Sequence, residues 1–160
     1  MASVYFSVFR NMELSLLEYL QTQLNASWTG ITTVKTFKNV YSKNVSVPIV
    51  TARMLDLGPE TLEIGATTLD PKPLFSIDIF AISQAQRLDL AAFLTDKLKD
   101  SFDYQTYAHA SGDKSTIEGT VAGKLKVITW ITNAPLDFGE QVEVKDRYRH
   151  NISIQIRKST

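Results

Sequence analysis

The sequence predicts an α+β fold, with a mostly antiparallel sheet and two main helices packed on one face. Three observations carry this. Two segments have helical apolar spacing, other runs alternate apolar and polar residues, and the order is helix, strands, helix, strands. The 160 residues, 44% hydrophobic and 21% charged, have an ordinary globular composition and read as a single domain over 1–160. Area scaling lets a chain of this size bury about two thirds of its unfolded surface. A core can therefore form without disulfides, and cysteine is absent.

The first helix is expected over Glu13 to Asn25. Leu16, Leu17, Leu20 and Leu24 fall on one face, Asn11 is placed to cap, and Glu13 sits in the favourable first turn. Upstream, the apolar run Val4 to Phe9 reads equally as a helical extension or a separate arm. Gly30 closes this unit, Ile31 to Val34 is rich in β-branched residues, and Lys38 to Asn44 reads as a loop. Strands over Val47–Leu57 and Leu62–Ile64 flank Gly58-Pro59, which is a hairpin signal. Asp70-Pro71-Lys72-Pro73 reads as a stiff connection, because proline has no amide to donate.

The clearest strand is Leu74 to Ala81, with Phe75, Ile77 and Ile79 on one face and Ser76, Asp78 and Phe80 on the other. Ser83 and Gln86 have capping-box spacing and open the second helix. Its apolar stripe is Leu90, Ala91, Leu94, Leu98 and Phe102. Asp89, Asp96 and Asp100 gather opposite, and Phe93 projects among them. Beyond it Ala108 to Ser115 is small, polar and loop-like. Two strands close the chain, about Lys124–Thr132 and Gln141–Arg157, the last setting Ile152, Ile154 and Ile156 against Ser153, Gln155 and Arg157. Between them Asn133 to Gly139 reads as a loop long enough to reach a partner.

Charge excludes some functions. Basic and acidic residues both number 17, which argues against a general nucleic-acid binder. Their distribution is uneven: 5 basic and 2 acidic over Met1–Arg53, 5 and 11 over Met54–Gly123, 7 and 4 from Lys124 on. Such a chain can pair with copies of itself. Apolar runs are short and interrupted by charge, so no membrane span is expected, and the N-terminus lacks a signal peptide's basic region. A soluble protein made inside the cell follows as an expectation.

Catalytic and metal signals are sparse. His109 and His150 stand alone, without an HExxH motif or an acidic calcium loop, so no metal site is expected. Gly119 to Leu125 imitates a phosphate loop but is one residue short between its glycines, and Leu125 stands where a hydroxyl should hold Mg²⁺. No cofactor is expected. Asp78, mid-strand between two isoleucines, is a costly charge unless paired. A salt bridge to an arginine across the sheet or from a neighbouring subunit accounts for it better than a small hydrolase built with His109 or His150. Lys145 to His150 interleaves basic and aromatic residues, as nucleic-acid surfaces do. Asp146 and Glu143 turn the reading of Arg147, Tyr148 and Arg149 toward a solvated face or a protein interface.

Val47-Pro48-Ile49-Val50-Thr51-Ala52-Arg53, then Leu62-Glu63-Ile64-Gly65, then Phe75 to Ala81 running into Gln86 to Leu94, is a succession with a precedent. It resembles the tail-terminator (neck) proteins of long-tailed bacteriophages. The similarity is most specific over Val47–Phe102, looser over Lys124–Lys158, and one of pattern alone over residues 1–46. The resemblance implies a structural virion protein, not an enzyme: a homohexameric ring that caps the tail tube, stops its polymerisation and joins the tail to the head-completion protein. DNA would only pass through the lumen, and the location would be the tail or neck of the virion. The neighbouring tail-tube and head-completion proteins are alternatives within the same particle. The expected subunit or partner interface comprises Asp78, Phe80, Phe93, Arg147, Arg149, His109, Asp113 and Phe138.

Overall fold

Leu74–Phe80 and Arg149–Ser159 are the two most regular alternating runs, and they pair antiparallel at the centre of the sheet. The computed structural model describes residues 8–34, 40, 45–61, 69–107, 119–139 and 142–159. Its elements are α1 (Val8–Ser27), β1 (Thr32–Val34), β2 (Ile49–Asp56), β3 (Pro59–Thr61), β4 (Leu69–Pro71), β5 (Leu74–Phe80), α2 (Gln84–Leu98), β6 (Phe102–Thr106), β7 (Thr120–Leu136), a 3₁₀ turn (Val144–Asp146) and β8 (Arg149–Ser159). Six strands form one curled, mixed sheet in the order β1-β2-β5-β8-β7-β6, in which only β1 and β2 run parallel. β3 and β4 make a separate two-stranded ladder.

One face of the sheet carries Val50 and Ala52, Phe75, Ile77 and Ile79, and Ile152, Ile154 and Ile156. Met12, Leu16, Leu20 and Leu24 of α1 join the same cluster, as do Leu90, Ala91, Leu94 and Leu98 of α2. Both helices therefore cover the same face, because each has a single apolar stripe to bury. Ser83 caps α2 by accepting from Gln86 N at 3.2 Å, and Gln86 Oε1 in turn accepts from Ile82 N at 2.9 Å.

Several boundaries differ from the sequence reading. The helix reaches upstream to Val8, so Asn11 is not a cap; it is buried within α1 and uses its side chain on β6. Phe102 is not on the stripe of α2 but opens β6, an element the sequence does not announce, and stacks on Tyr19 with ring centroids 4.6 Å apart. Asn133 to Leu136, expected as loop, continues β7, because β8 supplies partners for each of these residues. Conversely β8 begins only at Arg149, after the 3₁₀ turn. Gly58-Pro59 does not fold β2 back on its successor: β2 pairs with β5, while β3 pairs with β4 and takes in Asp70 and Pro71. Leu62–Ile64, most of Lys38–Asn44, and Ala108–Ser115 lie outside the described residues.

Candidate functional site

An exposed strand edge carries unpaired backbone groups and invites another strand, so each edge needs an account. The curl of the sheet brings β6 and the part of β2 that runs beyond its neighbour β1 to opposite sides of α1, whose polar side chains bond to both. Glu13 Oε2 accepts from Met54 N on β2 at 2.9 Å. On β6, Ser15 Oγ accepts from Gln105 N at 2.9 Å, and just past its end Asn11 Oδ1 accepts from Tyr107 N at 3.3 Å. The helix closes the gap as a stave closes a barrel.

β7 is different. β6 covers it only from Thr120 to Leu125, whereas β8 follows it to Leu136. From Lys126 to Leu136 the far side of β7 has no partner strand among the described residues. Register shifts between Val127 and Thr129 and between Trp130 and Thr132 leave Ile128 and Ile131 as extra, bulged residues. A bulge re-aims a side chain. These two stand 42% and 55% exposed, with Trp130 between them at 39%. Trp130 pairs with Ile154, a core residue, and so lies on the helix side. There it joins Leu88, Ala91, Ala92, Thr95 and Asn133 around an open groove of about 660 Å³. Thr129 and Thr132 pair with Gln155 and Ser153, which places the two bulges toward the opposite face. Apolar side chains thus flank, on both sides, an edge that has no partner strand among the described residues. Sequence reading missed this site. Its signal was the unbroken β-prone run Val127-Ile128-Thr129-Trp130-Ile131.

Under the groove runs a polar relay. His150 Nε2 donates to Asn133 Oδ1 at 2.6 Å, Asn133 Nδ2 donates to Thr95 Oγ1 at 2.9 Å, and Thr95 Oγ1 donates to the Ala91 carbonyl at 2.7 Å. His150 is buried and its Nδ1 has no partner among the described residues. Burial first, and the Arg87 charge second, hold its pKa below the ordinary value.

The expected interface residues divide. Asp78 and Phe80 are corrected to the interior: they are 2% and 0% exposed and have no surface to offer another subunit. The arginine that compensates Asp78 comes from across the sheet, Arg149 Nη2 standing 3.3 Å from Asp78 Oδ1. Ser76 Oγ and Asn151 Nδ2 also donate to Asp78, at 2.9 and 3.1 Å. Arg149 is itself mostly buried, with Asp146 3.4 Å away and the rings of Phe80 and Phe138 at 4.6 and 5.1 Å. Phe138 is half exposed and Arg147 is exposed. Phe93 is corrected to a partly buried residue packed on the core; Trp28 covers its ring edge-to-face, with centroids 5.9 Å apart. The wheel located its side of α2 but not the segment between α1 and β1 that folds over it. His109 and Asp113 lie outside the described residues.

Asp78 and His150 stand on adjacent cross-strand rows, and alternation sends them to opposite faces. The Asp78–His150 pairing that one form of the hydrolase would need is not made, and the alternative with His109 falls outside the described residues. Of Arg147, Tyr148 and Arg149, only Arg147 is exposed, since Tyr148 packs on the core and Arg149 is engaged by Asp78. No group of three or more potential metal ligands occurs among the described residues, and none of their helices is long and apolar enough to cross a membrane. No known protein family matches the chain, and no curated protein matches it either.

Proposed function

We propose that this protein is a structural assembly subunit, not an enzyme, and that it works as the tail terminator of a long-tailed bacteriophage. In this reading it forms a homohexameric ring on the last ring of the tail tube, halts polymerisation there, and presents a docking surface to the head-completion protein. DNA passes through the lumen, and no cofactor takes part. The observation that carries the reading is the uncapped β7 edge flanked by Ile128, Trp130 and Ile131, since large apolar groups beside unpaired backbone favour protein contact over substrate chemistry. The resemblance over Val47–Phe102 supplies the particular assembly and its sixfold number.

Electron microscopy and native mass measurement of the purified protein, alone and with polymerising tail-tube subunits, test it. Single closed rings that arrest tube growth at one layer are the expected outcome. Stacks or tubes of this chain by itself would identify a tube protein instead. A stable two-fold dimer that leaves tube growth unchanged would overturn the reading.

A further inference from the structure

The second apolar outcrop of the described surface lies at the end of β2, where Leu55 and Leu57 are 48% and 49% exposed and flank the exposed Asp56. Leu55, like Ile128 and Ile131, is the extra residue of a register shift, here between Met54 and Asp56. The backbone edge beside it is already taken at Met54 by Glu13, so this outcrop offers side chains rather than a strand to pair. One cross-strand row joins the two outcrops: Asp56 pairs with Leu74, Leu74 with Gln155, and Gln155 with Thr129. They therefore sit at the same height on opposite flanks of the β5–β8 pair, roughly 14 Å apart at the usual strand spacing.

We infer that a second copy of this chain occupies the β7 edge, docking head to tail so that Leu55, Asp56 and Leu57 of one copy meet Lys126, Ile128, Trp130 and Ile131 of the next. Charge complements the apolar match, because Lys126 and Asp56 are both exposed and opposite in sign. The equal height matters as well. A heterologous contact closes into a ring when it carries no translation along the axis, and climbs into a filament when it does. The inference rests on the ring reading above and adds the surfaces that make the ring.

The absence of cysteine permits a clean cross-linking test. Leu55→Cys and Ile131→Cys are made singly and together, oxidised, and resolved by mass. The double variant is expected to link into a series ending at the closed oligomer. Each single variant should stay unlinked, and an equal mixture of the two should stop at dimers. Independently, Lys126→Glu should weaken association about tenfold through like-charge contact, and Asp56→Lys in the same chain should restore it. Self-linking of Ile131→Cys alone would reveal a two-fold edge contact and overturn the inference. Oligomers that form without any of these links would overturn it while leaving the ring reading standing. A chain monomeric at every concentration and on tail tubes would overturn both.

Discussion

Arg149→Met is the substitution with the largest expected cost on the outer face of the sheet. The Asp78 carboxylate is 2% exposed and pairs with Arg149, 3.3 Å away. Methionine keeps much of the apolar stem between Phe80 and Phe138 but removes the charge, leaving Asp78 with the Ser76 and Asn151 donors among the described residues. Breaking a buried pair from one side costs about 3–5 kcal/mol, because the remaining charge stays desolvated. For a domain of this size that lowers the melting temperature by on the order of 10 °C. Removing both charges, Asp78→Asn with Arg149→Met, should recover most of the loss, since no uncompensated charge remains. Urea unfolding of the parent, both single variants and the double variant measures this directly. Arg149→Met within about 1 kcal/mol of the parent, the worth of a surface pair, would refute the reasoning. So would single-variant losses that simply add in the double variant.

Three further outcomes follow from the same contacts. His150 has a depressed folded pKa, so the unfolded chain binds more protons; stability is fully present above about pH 6.5 and falls as pH drops below it. His150→Gln should flatten that limb of the stability-against-pH curve, and an unchanged slope would remove His150 as its source. Trp28→Ala and Phe93→Ala should each destabilise the subunit, with a double-mutant coupling of about 0.5–1.5 kcal/mol for the edge-to-face pair, whereas strict additivity would mean that Trp28 does not cover Phe93. Leu94→Ala, at a fully buried position, should cost about 2–5 kcal/mol by urea titration, and Leu94→Asp should leave no cooperative unfolding transition.

Period and punctuation made much of this architecture readable. The alternation of Phe75, Ile77 and Ile79, and of Ile152, Ile154 and Ile156, located β5 and β8 and their core-facing sides. The Leu90, Leu94 and Leu98 spacing, with Ser83 as cap, located α2 to within a residue of its start. These signals are local: each depends on residues a few positions apart, and burial of one face enforces them whatever the neighbour is. The need for a cation beside Asp78 was likewise legible from its place between two isoleucines.

Which cation it was, and which surface stayed open, depended on contacts made across the whole chain. Arg149 reaches Asp78 from 71 positions away, through the β5–β8 register. The bonds from α1 to β2 and β6 require the sheet to curl until Glu13, Asn11 and Ser15 of one helix reach both strands, and nothing in the spacing of α1 encodes that reach. The same holds for Phe93, whose cover arrives from Trp28, and for Asn133 to Leu136, which become strand only because β8 lies alongside. Sequence period determines which face of an element turns inward. Only the packed sheet decides which edges find partners, because an edge is defined by the neighbours a strand lacks, and these depend on the rest of the chain.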